Sequence, residues 1–381
     1  MFESTKIIGE RQYEKARSLF ESANIKVEGP LAIAHQYVDM SNVKLQTSNG
    51  TVTTCKPAMG YSFAAGTTDG PGAFDFQQGV TTSTPFWNLV RDFMRRPSLE
   101  LTACHYPKPI LVATGEMKFP YQWQPTILPV QILKIGSILN VAVPSEFTTM
   151  AGRRLREAVL EEANRVTTSS DMTWRVVLSG LSNAYSSYVV TPEEYQVQRY
   201  EGASTLFGPH TLPAYIQQFI FLTHHAVKGT ELPPSGLQPP NLLSKQISLK
   251  PGVVYDGIPF GKKFGDVIYD AHPRYSVGDQ VYTSFYAANP RNNLQQDKSF
   301  LTIERKEVDH WFILATDADW ETKFYWQRTN SIFGESKASI IWDIPVNTTK
   351  GIYRVRHFGS SKSIMQTIRP YIGVSREFEV V

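Results

Sequence analysis

Apolar positions along the chain follow two different rhythms, one on each side of a proline-rich stretch. Ile8, Tyr13, Ala16, Leu19 and Phe20 recur at helical spacing and predict an amphipathic helix over residues 7–23. Residues 31–39 are apolar and predict a strand. Residues 58–79 hold five glycines interleaved with Tyr61, Phe63, Phe74 and Phe76, which predicts an ordered loop. A short helix is expected over 86–94 and a strand over 110–113. The runs 130–135 and 138–143 flank Gly136-Ser137 and predict a hairpin. After Pro144-Ser145-Glu146 a helix is expected over 147–166, with Leu155, Val159 and Ala163 on its apolar side. A strand over 174–178 completes a strand–helix–strand unit, so its flanking strands should be parallel. Residues 208–227 predict another apolar helix, holding Leu212, Tyr215, Ile216, Phe219 and Ile220.

Residues 229–240 contain Pro233, Pro234, Gly236, Pro239 and Pro240 and read as an extended, solvated linker. Beyond them the runs 280–287, 300–304, 311–315, 323–327, 339–342, 352–358 and 377–381 are short and rich in β-branched and aromatic residues. That pattern predicts an all-β sandwich. The expected fold class is a partial α/β mixed-sheet domain over 1–228, the linker 229–240, and a sandwich over 241–381.

Composition narrows the function. At 381 residues the chain has room for two or three domains. With 41% hydrophobic and 19% charged residues it is a folding sequence. A net charge of +3 is too small and scattered to argue for nucleic acid. No apolar run reaches the ~20 residues of a membrane span. The first ten residues lack a basic region followed by an apolar core, so they do not read as a signal peptide. Cys55 and Cys104 cannot form a four-thiolate zinc site; they read as one disulfide or as two free thiols. The sequons at Asn49 and Asn347 read as glycosylation sites of a secreted protein or as chance.

Glu146 lies past the carboxyl end of one strand, and Tyr185 and Tyr188 follow the next strand of the same unit. Ligand-binding groups of open α/β sheets collect there. The alternative is a first-turn carboxylate favoured by the helix dipole, beside ordinary packing tyrosines. Residues 188–202 carry Tyr188, Tyr195 and Tyr200 among several carboxylates. A phenol can donate to a developing oxyanion or, deprotonated, bind a hard metal; the alternative is a polar aromatic surface. Asp317-Ala-Asp319-Trp-Glu-Thr322 has the D-x-D pattern of calcium loops without the EF-hand glycine or length. The eight histidines form no H-E-x-x-H or H-x-H pair, and no G-x-S-x-G elbow, P-loop or dinucleotide fingerprint occurs.

Three long segments, 60–70, 143–156 and 194–212, closely resemble the neutral/alkaline non-lysosomal ceramidase family. The segments 320–326 and 351–356 resemble its C-terminal immunoglobulin-like domain, and the likeness runs from Phe2 to Val381. The resemblance implies hydrolysis of the amide of N-acylsphingosine (ceramide), a sphingolipid met at a membrane surface, with an active-site zinc. It implies zinc ligands at Glu146, in V-P-x-E-F-T-T-M, and at Tyr188, which opens Y-x-T-x-E-E-Y-x-x-Q-x-Y, though Val190 stands where threonine is common. It makes Tyr200, which closes that motif, a transition-state donor. It further implies calcium at Asp317, Asp319 and Thr322, and a Cys55–Cys104 disulfide.

The family's two zinc histidines and the serine of its D-V-S-P-N segment have no counterpart in this sequence. The chain therefore resembles the C-terminal half of the enzyme and is expected to carry half of the active site. The alternative is a catalytically inactive module that binds lipid or the full-length enzyme. The family is extracellular or at the cell surface; without a leader, cytoplasmic retention is the competing expectation.

Overall fold

The computed structural model describes residues 2–381 except 49, 73, 169–171 and 249. It divides into two compact units, Met1–Leu242 and Leu243–Val381.

In the first unit, chain order runs α1 (Phe2–Ser22), β1 (Leu31–Asp39), β2 (Lys44–Thr47), β3 (Gly50–Thr53), β4 (Met59–Gly60), α2 (Pro85–Arg95), α3 (Leu99–Cys104), β5 (Ile110–Val112), β6 (Ile127–Ile135) and β7 (Ile138–Ala142). It continues with β8 (Glu146–Phe147), α4 (Thr149–Val166), β9 (Arg175–Ser179), β10 (Tyr188–Val189), α5 (Pro192–Val197), α6 (Tyr200–Ala203) and α7 (Thr211–Lys228). The main sheet has the order β1-β6-β7-β9. β6 and β7 form the hairpin over Gly136-Ser137, and β9 lies parallel to β7 as expected for strand–helix–strand.

Alternation along the strands sends one set of side chains inward. Leu128, Val130, Ile132, Leu139 and Val141 are buried with Leu155, Val159 and Ala163 of α4 and Leu212, Tyr215 and Phe219 of α7. Each such burial contributes roughly 1.5–3 kcal/mol. The opposite face is different. Leu31 pairs with Ile135 in register, and both are exposed, as are Ile33 and Val177 on the same face. The first helix forms where the periodicity places it, but its residues 3–22 are exposed all round. Its apolar stripe has no layer to pack on among the described residues.

The second unit holds β11 (Val267–Tyr269), β12 (Arg274–Tyr275), β13 (Gln280–Ala287), β14 (Leu301–Glu307), β15 (His310–Thr316), β16 (Thr322–Asn330), β17 (Glu335–Asp343), β18 (Gly351–Lys362), β19 (Ile368–Val374) and β20 (Phe378–Val380). One sheet runs β11-β13-β17-β16; the other runs β12-β20-β18-β14-β15, with β19 also on β18. Val281, Phe285, Ile340 and Trp342 of the first meet Leu301, Ile303, Tyr353, Val355 and Phe378 of the second in one core. Glu304 is buried between Arg354 and Arg356, at 2.7 and 3.0 Å. Asn347 stands exposed in the turn between β17 and β18; Asn49 lies outside the described residues.

His357 is buried in this unit, its ring nitrogens 3.0 Å from the Phe300 carbonyl and 3.3 Å from the Tyr371 hydroxyl. Burial pushes its pKa from 6.5 to about 4. The unfolded chain therefore binds a proton here in a window where the folded chain does not. Stability is fully present above the unfolded value and falls as pH drops through the window, by about 3 kcal/mol in all. The thermal transition of the second unit should shift downward between about pH 6.5 and 4, and His357→Gln should flatten that slope. An unchanged slope in the variant would assign the acid sensitivity elsewhere.

Candidate active site

β7 leads into a fixed crossing. Val143 N donates to the Ser179 carbonyl, Ser182 N to that of Val143 and Ser186 N to that of Pro144. The buried hydroxyls of Ser145 and Ser186 bond each other, and both reach the hydroxyl of Tyr215 on α7, at 3.1 and 3.4 Å. These contacts set β8 beside β10, parallel, with Tyr188 in register with Glu146. Two residues forty-two positions apart in the chain thus become lateral neighbours.

Two phenols stand at the carboxylate, and a third packs on one of them. Tyr185 donates to Glu146 Oε1 at 2.5 Å and is half exposed. Tyr188 stands beside the same carboxylate; burial first, and then its interaction with Glu146, hold its pKa well above the usual phenol value. Burial and the same carboxylate push Tyr185 up to about 12. The Tyr200 ring meets that of Tyr188 edge-on, centroids 5.4 Å apart, and stacks on Phe63 at 5.9 Å. Its backbone N–H donates to Gln78 Oε1 at 2.6 Å, so the glycine-rich loop holds the start of α6 in place.

The backbone is unusual here. Leu181, Asn183, Ser187 and Gln198 all have positive φ, between 51° and 65°, without being glycine. Ser187 directly precedes Tyr188, and Gln198 lies two residues before Tyr200. Left-handed non-glycine residues are costly and gather at functional sites, where surrounding contacts enforce them. One enforcing contact is Glu194. Its carboxylate accepts from Thr191 N at 2.7 Å within a capping box, and from the hydroxyl of Thr148, the N-cap of α4, at 2.8 Å. One side chain therefore ties together the helix starts that follow β8 and β10.

Beneath lies a buried base. Lys108 Nζ donates to the carbonyls of Thr205 and Ala58, and burial pushes its pKa well down. His105 Nδ1 meets the Tyr195 hydroxyl at 3.1 Å and Nε2 the Lys56 carbonyl at 2.8 Å. Both its ring nitrogens are engaged. Burial, with Lys108 adding to it, lowers its pKa to about 3. Cys55 and Cys104 form the disulfide that the family resemblance implied. Gly208, at φ +80°, faces it: a Cβ there would sit 2.4 Å from Cys55 Sγ.

Of the residues singled out in the sequence, Glu146, Tyr188 and Tyr200 come together. Tyr185, set aside in favour of Tyr188 on the resemblance, comes with them. Gln78, Phe63 and Glu194 are additional contacts; only Glu194 carried a sequence signal, the T-x-x-E capping box. Asp317 and Asp319 lie in the second unit between β15 and β16, and Thr322 opens β16. Asp317 Oδ2 accepts from Phe300 N at 2.8 Å, and Asp319 Oδ2 from Thr316 N at 2.6 Å. The Thr322 hydroxyl donates to the Thr316 carbonyl at 2.6 Å. Among the described residues no group of three or more His, Cys, Asp or Glu could hold a metal.

Comparison with known proteins decides the family. The N-terminal domain family of neutral/alkaline non-lysosomal ceramidases matches residues 1–217, and the corresponding C-terminal family matches residues 220–380. The chain belongs to the neutral/alkaline ceramidases. Neutral ceramidase of Oryza sativa subsp. japonica is 49% identical over 387 residues, which is 100% of this chain and 49% of that protein. Neutral ceramidase of Drosophila melanogaster is 47% identical over 392 residues, 100% of this chain and 55% of the relative. A ceramidase solved in complex with C2 superposes with a TM-score of 0.85 at 36% identity, covering 100% of this chain and 59% of that one. Neutral ceramidase from Pseudomonas aeruginosa gives 0.82 at 35%, covering 100% and 57%. The chain spans about half the length of the curated relatives it matches.

Proposed function

We propose that the chain contributes to hydrolysis of the amide bond of ceramide, releasing sphingosine and a fatty acid, and that it carries half of a zinc-dependent active site. The convergence of Glu146, Tyr188 and Tyr200 is the observation that carries this reading. The donor set fits part of a zinc shell: a carboxylate and a phenol that are lateral neighbours. The remaining ligands would be the two histidines that the family places upstream, where its catalytic serine also lies. The exposed apolar face of the main sheet supports this, since a further layer would cover it.

Within this scheme Glu146 and Tyr188 supply two oxygen donors. The Tyr188 phenol, raised by burial and by Glu146, must lose its proton to become a ligand, which makes metal affinity pH-dependent. When bound, zinc supplies Lewis-acid chemistry for amide hydrolysis. Tyr200 donates a hydrogen bond to the oxygen that gains charge as the amide carbon becomes tetrahedral. In enzyme assembled from this chain and the family's upstream segment, Tyr200→Phe should lower kcat by about 10²–10³-fold with KM little changed. A variant with full kcat would remove Tyr200 from the chemistry.

The finer organisation belongs to the same proposal: a catalytic part over 1–228, a linker over 229–240 and an immunoglobulin-like domain over 241–381. The two sheets with one core support the last. Calcium at Asp317, Asp319 and Thr322 fits in part. The loop offers oxygen donors, but Asp317 Oδ2 and Asp319 Oδ2 already accept backbone N–H bonds that close it. Calcium should raise the second unit's thermal transition and chelator should reverse it; an unchanged transition would assign the aspartates to the turn alone. The disulfide and the exposed sequon at Asn347 favour an extracellular or cell-surface setting.

A further inference from the structure

Helix α2 is folded inside out. Two of its polar residues face the protein: Asn88 accepts from the Tyr61 hydroxyl at 2.8 Å, and Arg91 reaches the Ile110 carbonyl at 3.4 Å. Trp87 bonds Asp75 at 2.7 Å and packs on Phe76, ring centroids 4.4 Å apart. Its apolar residues recur at i, i+3, i+4, i+7 and i+8 and face solvent. Phe86 is 65%, Leu89 73% and Phe93 94% exposed, and no residue of the helix is buried. Phe74 extends the patch from the glycine-rich loop: it is 84% exposed, edge-on to Trp87, and held at φ 62°. A bulky residue with that backbone conformation is a genuine outlier. Exposed Arg95 and Arg96 stand at the helix end.

We infer that the outward face of α2, with Phe74, docks onto a lipid bilayer surface. The inference rests on the ceramide reading above and deepens it. Large aromatic and aliphatic side chains flanked by arginines have the composition of a helix lying in a bilayer interface. The patch is also continuous with the candidate site. The loop bearing Phe74 and Phe76 supplies Gln78 to the Tyr200 backbone, and α2 itself holds Tyr61 of the same loop. A substrate with two hydrocarbon chains leaves the bilayer only at high cost, so a site for its amide is served by a neighbouring face that sits in the interface.

Co-sedimentation of the full chain with phosphatidylcholine vesicles, with and without phosphatidylglycerol, tests this. The unsubstituted chain should sediment with the vesicles. Leu89→Asp combined with Phe93→Asp should lower the partition coefficient at least about tenfold, with far-UV circular dichroism unchanged because both side chains are exposed. Leu19→Asp, on the equally exposed α1, should leave partition unaltered. Phe93→Trp should retain binding and shift its emission to the blue. Undiminished binding by the double variant would overturn the inference, and so would an equal drop with Leu19→Asp. A dimer of the chain that the double variant dissolves, with vesicle binding retained, would give the face to a second copy and overturn it too. Glu146→Gln should leave vesicle binding intact, so failure of the metal-site reading registers separately.

Discussion

Glu146→Gln should strip zinc from the assembled enzyme and end ceramide turnover. Loss of an outer-shell partner costs roughly 10–100-fold in metal affinity or activity; removing a ligand should exceed that. Tyr188→Phe should do the same, because a phenyl ring offers no oxygen. Tyr185→Phe separates the two tyrosines. Its hydroxyl bonds the same carboxylate at 2.5 Å but is half exposed, so its loss should stay within the roughly 10–100-fold of an outer partner. Zinc content after dialysis and sphingosine release are the two readouts. Metal retained by Tyr188→Phe and lost by Tyr185→Phe would exchange the roles of the two tyrosines.

That ambiguity shows where the sequence stops being legible. The hairpin over 127–142 and helix α4 follow directly from alternation and from Leu155, Val159 and Ala163 at helical spacing. The position of Glu146, after a strand and before a helix, follows with them. The path of 181–187 does not. Three of its residues adopt left-handed backbone without glycine to announce it, and only tertiary contacts such as Ser145–Ser186–Tyr215 impose that shape. Helices α5 and α6, of six and four residues, are too short to show a period. Strand β19 carries Pro370 and is exposed along much of its length, which hides it among turns.

Burial is a second gap. Periodicity predicts that α1 and α2 exist, but it cannot say which side of each faces the protein. In α2 the apolar side faces out, since Asn88 and Arg91 find partners inside. In α1 nothing among the described residues covers the apolar stripe. Exposed apolar faces on α1 and on the main sheet fit a chain that spans about half the length of its relatives.

The sharpest test addresses the proposed sharing of the site. Purified chain, supplied with stoichiometric zinc and ceramide in detergent micelles, should release no sphingosine above background. A carboxylate and a phenol whose pKa is raised by burial and by Glu146 make a poor zinc site without imidazole ligands. Addition of the family's upstream segment should restore turnover, and Glu146→Gln should prevent the restoration. Background alone and recovery on addition is the predicted result; turnover by the chain unaided would contradict the shared-site account.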